Sequence, residues 1–375
     1  MNSLLKGTVA AACLLATLGG VAHAGGFSRG SADTDILFED GNFNMRSSVT
    51  YVTPTRKYKT NALNPELIGV NYADDYAIPS FALKLKISDS LSCAGTYTES
   101  FGGSATWPTP SGTLNKLDED FTIYEAAATC GLKFDLSKGR LWVIGGVYHE
   151  DVNYNLNAVA GQLNVNLKDQ NFGWRAGLAY EIPEIALRTQ IMYRSGVDIK
   201  ASGSAVAGPY FTGGAPATVG ASGETQFPQS VEFKAQTGVA PGWLVYGSVK
   251  WTDWSVTKTL NLYVPDLGIT NGNKYYWRDG WTVTGGVGHQ FNDWLSGTVF
   301  ATWDRGVSTG WDMTAETYTV GTGVSMKDKL GGELRLAAAV SRLGSSEETQ
   351  YGSALERSVG KDWAYILSGG YSIKW

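Results

Sequence analysis

The sequence predicts an all-β protein, a transmembrane antiparallel up-and-down barrel of 14 strands, and three observations predict it. Glycine fills 47 of the 375 positions, nearly double the usual share of about 7%, and each glycine inside a helix costs about 1 kcal/mol relative to alanine. Apolar and polar residues alternate with period 2 in one segment after another, which puts successive side chains on opposite faces of a strand. Short and long breaks alternate between those segments, as tight periplasmic turns and extended external loops do in an outer-membrane barrel.

Other classes fall away on composition. Mean hydropathy is −0.14, and beyond the first twenty residues no apolar run approaches the roughly 18 residues that a spanning helix needs. Formal charge is −5 with a pI near 5.4 and no dense Lys/Arg cluster, which excludes a nucleic-acid footprint. A soluble β-sandwich also alternates, but it rarely needs strands of a dozen or more residues. Lipid offers no hydrogen-bond partner, so a sheet immersed in it must close on itself and leave no edge.

In chain order, Met1 to Lys6 form a basic start, an apolar stretch containing Cys13 follows, and Ala22-His23-Ala24 is an A-x-A cleavage site. Residues 1–24 therefore read as a secretory signal peptide. Two cysteines remain, Cys93 and Cys130, read either as small wall residues or as a single bridge in an oxidising periplasm. Strands are expected near 46–58, 80–87, 91–100, 120–136, 140–154, 170–181, 185–202, 225–239, 243–260, 273–291, 294–304, 316–327, 332–345 and 361–375. The last shows the pattern best, with Trp363, Tyr365, Leu367, Tyr371 and Trp375 on one face and Ala364, Ser368, Ser372 and Lys374 on the other. An even strand number places both ends in the periplasm. Trp251, Trp254, Trp277, Trp281, Trp294, Trp303, Trp311, Trp363 and Trp375 fall near strand ends, where interfacial girdles lie. Trp107-Pro108-Thr109-Pro110 is expected to cap the mouth. Arg175, Arg188, Arg194 and Arg335 share lumen-facing parity with Glu181, Gln190 and Glu333, a ladder of paired charges, since buried charges persist only when paired. His149 and His289 have no cysteine or histidine nearby in sequence and lie in no nucleophile motif. No catalytic residue, metal or cofactor is expected.

Several segments resemble the outer-membrane long-chain fatty-acid transporter family, the FadL/TodX (OMPP1) group. They are Gly25-Gly26-Phe27, Phe172-Gly173-Trp174-Arg175-Ala176-Gly177-Leu178-Ala179-Tyr180-Glu181, Tyr193-Arg194-Ser195, Phe227-Pro228, Trp251-Thr252-Asp253-Trp254-Ser255 and Trp277-Arg278-Asp279. Their order and the terminal Trp375 carry the resemblance over about residues 170–375. The resemblance implies a short amino-terminal hatch, residues 25–46, folded inside a barrel of residues 47–375. It implies passive uptake of a hydrophobic small molecule, such as a long-chain fatty acid, through an interior apolar pocket and out sideways through the wall near the third strand, where Gly95 would mark the kink. Phe27 would reach into the pocket and Arg278 would neutralise a substrate carboxylate. The implied partners are that hydrophobic ligand (a fatty acid, hydrocarbon or detergent), outer-membrane lipid, and the barrel-assembly machinery, which would read the carboxy-terminal strand; the expected state is a monomer. The alternative is a general diffusion porin for polar solutes. Two departures stand out: Asn42-Phe43-Asn44 replaces the family's Asn-Pro-Ala element, and the third external loop, 155–169, is short.

Overall fold

In the computed structural model, residues 25–112, 114–329, 331–350 and 356–375 are described; the signal segment 1–24, with Cys13 and His23, lies outside them. Among the described residues the sheet comprises 14 antiparallel strands. These are β1 (Phe43–Pro54), β2 (Tyr76–Lys86), β3 (Leu91–Ser111), β4 (Lys116–Asp135), β5 (Arg140–Ala158), β6 (Leu163–Ile182), β7 (Leu187–Arg194 and Val197–Ala207), β8 (Ala217–Phe227 and Ser230–Ala240), β9 (Trp243–Thr252), β10 (Gly280–Gln290), β11 (Leu295–Asp304), β12 (Thr317–Lys327), β13 (Gly332–Leu343) and β14 (Asp362–Lys374). The barrel closes where β14 pairs with β1, from Asn44↔Lys374 to Pro54↔Ala364. Each expected strand has its counterpart, and the tight turns fall where polar breaks were shortest.

The faces are inverted relative to a water-soluble core. Val147, Phe172, Val299, Val320, Tyr365 and Leu367 are among the most exposed large side chains. Thr50, Thr96, Gln190, Thr298, Thr319 and Arg335 are buried. A wall in oil needs this arrangement, because apolar side chains meet lipid at no cost while polar ones find partners only inside.

The largest difference from expectation is height. A tilted spanning strand needs roughly 9–11 residues, and β9 to β14 are 10 to 13 residues long, whereas β3 to β6 have 19 to 21. One side of the barrel therefore rises beyond the hydrocarbon. The stretches expected as long loops at 101–119 and 155–169 are mostly strand, and β5 returns into β6 through a turn at 159–162 with Val159 and Ala160 at positive φ. A hairpin, Thr259–Val264 with Ile269–Lys274, extends the wall above β9 by pairing with the outer half of β8. Wall irregularities have local causes: β8 breaks at Pro228, which has no N–H to donate, and β7 breaks at Ser195-Gly196, where a Cβ on Gly196 would lie 2.7 Å from the Phe227 carbonyl oxygen. Cys93 and Cys130 face each other across β3 and β4 and form a disulfide, which settles the two readings left open.

Candidate functional site

Residues 25–42 run inside the barrel and end at Phe43, a few residues before the boundary expected at 46. The lower part is held by charge: Arg46 on β1 donates to Asp33 at 2.7 Å and also pairs with Glu39. Lys234 on β8 lies 3.3 Å from Asp35. Burial opposes the Asp35 charge, but Lys234, Arg188 and Arg46 more than offset it and hold the carboxyl below its ordinary value of 3.8. Ile36 and Leu37 are fully buried beneath Trp142, whose ring meets Phe38 edge-on.

The upper part is held by backbone. The Arg29 N–H donates to the Ser100 carbonyl at 3.0 Å, the Gly30 N–H to the Glu99 carbonyl at 2.7 Å, and the Gly102 N–H to the Phe27 carbonyl at 3.0 Å. Ser28 and Phe101 form an isolated antiparallel bridge. A segment from inside the lumen thus pairs with β3, which is possible because β3 has lost its neighbour there. The β2–β3 ladder stops at Ser80↔Thr98 and contact resumes only at the Ala73↔Ala105 bridge. The register of β3 on β4 also slips between Glu99 and Phe101. The kink therefore sits at Ser100, where the ladder slips, and not at Gly95, which keeps regular partners in Leu83 and Ala128.

Phe27 is at the centre of an aromatic cluster. Its ring centroid is 4.8 Å from those of Phe121 and Trp277, 5.4 Å from Tyr275, 6.1 Å from Trp254 and 6.3 Å from Phe227. Above it, Ile123, Val152, Tyr154, Leu167 and Ile199 from the tall wall line an apolar chamber whose free space is only about 40 Å³. A small-molecule pocket takes about 300–1,000 Å³, so the chamber as it stands is too small for such a ligand. A second cavity, of about 240 Å³, lies beside the interrupted β2–β3 ladder and is lined by Phe27, Arg29, Val52, Tyr76, Ser104 and Leu343. Trp254 and Trp277, expected in an interfacial girdle, belong to this cluster instead; Trp281, Trp294, Trp363 and Trp375 are exposed on the outside.

Arg278 is placed elsewhere. It is exposed in the irregular segment 275–279 that leads into β10, next to buried Trp277, and among the described residues it has no ion-pair partner. The lumen charges lie on other residues. Glu125 accepts from Arg194 at 3.0 Å and pairs with Arg175, and Glu150 pairs with Arg194. Arg335 pairs with Glu333 at 2.8 Å. Arg188 stacks on Phe38, and Glu181 faces Arg140 at 3.4 Å. Of the expected ladder only the Arg335–Glu333 pair forms among the described residues: Glu181 meets Arg140, Gln190 is buried without a hydrogen-bond partner, and Arg175 and Arg194 pair with Glu125 and Glu150 instead, because lumen-facing parity does not say which residues meet across strands. Beside this network a polar cavity of about 80 Å³ is lined by Ser28, Thr34, Glu125, Arg194, Glu232 and Lys250. His149 packs on Phe172 on the lipid side and His289 on Trp243 near a turn.

The top of the β1–β2 side is covered by loops. Tyr58 stacks on Tyr72 at 4.5 Å, and Trp107 donates to the Tyr58 hydroxyl at 3.0 Å, so the Trp-Pro segment does reach the mouth. Burial pushes the Tyr72 hydroxyl above its ordinary range.

Comparison with known proteins places this barrel. It matches the model for the outer membrane protein transport protein family (OMPP1/FadL/TodX) over residues 41–297. The chain belongs to this family. It is therefore an outer-membrane protein of a transport family. It is 26% identical over 245 residues to a long-chain fatty acid transport protein of Salmonella typhi, a match covering 55% of this chain and 56% of that relative. Among solved structures it resembles a Pseudomonas aeruginosa FadL homologue, with TM-score 0.72 and 15% identity over 96% of this chain and 98% of that one. It also resembles the CymD monoaromatic hydrocarbon channel, with TM-score 0.66 and 13% identity over 91% and 90%. A third is the Pseudomonas putida toluene transporter TodX, with TM-score 0.62 and 14% identity over 91% and 92%. These likenesses concern the fold.

Proposed function

We propose that the protein admits hydrophobic small molecules, long-chain fatty acids or similar, by passive diffusion. The ligand would enter the apolar chamber of the tall wall, displace Phe27, occupy the cavity of about 240 Å³ beside it and leave sideways through the opening between β2 and β3. The observation that carries this reading is the break of the β2–β3 ladder above Ser80↔Thr98, filled from inside by residues 27–30. A pore for polar solutes needs no opening toward lipid. Names of similar proteins, a fatty acid transport protein, a toluene transporter and a monoaromatic hydrocarbon channel, share an apolar ligand. The strand ending at Trp375 suits recognition by the assembly machinery, and the wall is complete in one chain, which fits a monomer. Proteoliposomes carrying the protein should take up labelled oleate at least tenfold faster than empty liposomes; equal rates refute the proposal.

A further inference from the structure

We propose that Arg29 latches the wall opening and that a carboxylate on the ligand releases it, so that this one guanidinium favours acids over neutral tails of the same length. The idea rests on the sideways exit proposed above and adds what controls it.

Arg29 bridges the two lips of the opening. Its guanidinium lies 3.5 Å from the ring centroid of Tyr76 on β2, and its Nε is 3.3 Å from Glu99 Oε1 on β3. Both partners of the ion pair are deeply buried, Arg29 at 5% and Glu99 at 2% exposure. Despite that burial the pairing is incomplete. A guanidinium carries five N–H donors in a planar fork, yet Glu99 is the one ion-pair partner of Arg29 among the described residues, and Glu99 Oε1 accepts no hydrogen bond. The contrast is with Arg46, which donates to both oxygens of Asp33 and to Glu39, and with Arg194, shared by Glu125 and Glu150. Buried charges normally reach such full pairing, and Arg29 retains capacity for another carboxylate.

Space is kept for the exchange. A Cβ on Gly102 would lie 2.4 Å from Glu99 Oε1 and 2.7 Å from Arg29 Nε, so only glycine leaves room for this pair. The adjoining cavity is lined by apolar Val52, Leu343 and Ala364 together with Arg29, and also by Asp74, Ser104, Thr317 and Ser341, so it offers an apolar side and a polar end with one cation. A ligand carboxylate can form the two parallel N–H···O bonds that Glu99 does not, and such charge-assisted forks are roughly twice as strong as neutral hydrogen bonds. Once Glu99 is displaced it is a buried carboxylate without a cation, which is costly until water or movement reaches it. Exchange and opening are therefore coupled, and a neutral tail has nothing to offer Arg29.

The test uses the full mature protein in dodecyl maltoside, following hydrogen exchange at the Arg29 and Gly30 amides, which hold the segment on β3. Oleate should speed exchange at least tenfold and oleyl alcohol should not. Arg29→Met should raise basal exchange and erase the difference between the two ligands, and Glu99→Gln should raise basal exchange while keeping the response to oleate. In proteoliposomes the oleate-to-alcohol uptake ratio should fall toward one in Arg29→Met. Equal responses of the unsubstituted protein to both ligands, or a difference that survives Arg29→Met, overturns the latch. If neither ligand is taken up by the unsubstituted protein yet exchange still distinguishes them, the latch stands and the transport reading fails.

Discussion

Phe27 concentrates at one residue what separates the closed barrel from an open one. Its ring touches five other aromatic rings, each such pair contributing about 0.5–1.5 kcal/mol beyond area burial. Truncating it also leaves a cavity that the stiff wall cannot refill. Phe27→Ala should therefore weaken docking of the amino-terminal segment by about 3 kcal/mol, or about 150-fold in the undocked population. Hydrogen exchange at Arg29 and Gly30 would report that change, while the exchange of β12–β13 amides stays as it was. Unchanged exchange at residues 29 and 30 would show that the aromatic cluster does not hold the segment. From sequence, Phe27 was legible through its place in a Gly-Gly-Phe start. The residues it meets, Phe121, Trp277 and Tyr275, come from distant strands and loops that only the fold brings together. Arg278 lies in an irregular segment, where no alternation sets which way a side chain faces, and the fold leaves it exposed.

At the level of the element, the decisive feature is that residues 27–30 act as a substitute strand against β3. Ser28 and Phe101 face each other as bridge partners, and Cα atoms in antiparallel pairs lie about 4.5–5.5 Å apart, within reach of a disulfide. A Ser28→Cys, Phe101→Cys double variant should cross-link on oxidation and stop oleate uptake, and reduction should restore it to near the uncrosslinked rate. The parent protein under the same reductant controls for the Cys93–Cys130 bridge. Uptake that continues with the segment tethered would mean that it need not leave β3. The number, order and turns of the strands were readable because the period-2 pattern is imposed by lipid on one side along every strand. The excess height of β3 to β6 was not, since above the membrane the outer face meets water and the alternation loses its apolar half.

For the whole molecule, aromatic rings, paired charges and the buried part of residues 25–38 occupy the lumen among the described residues, and the polar cavity beside them has about 80 Å³. The protein should be nearly silent in planar bilayers, and deleting residues 25–38 should produce steady ion conductance, because the remaining wall is lined with buried threonines, serines and charged groups. Steady conductance in the undeleted protein would instead favour the general porin. The strands of 19 to 21 residues on one side and of 10 to 13 on the other make the rim of the barrel uneven.

The amino-acid sequence by itself determined that this chain meets lipid on its outside, how many times it crosses, and where it turns, because each of those properties repeats locally along a strand. Tertiary structure alone decided where the β2–β3 ladder breaks, which rings surround Phe27 and that the Arg29 guanidinium lies between Tyr76 and Glu99. Those depend on register slips and on side chains from strands far apart in sequence, and no local pattern records which of two lumen-facing residues will meet.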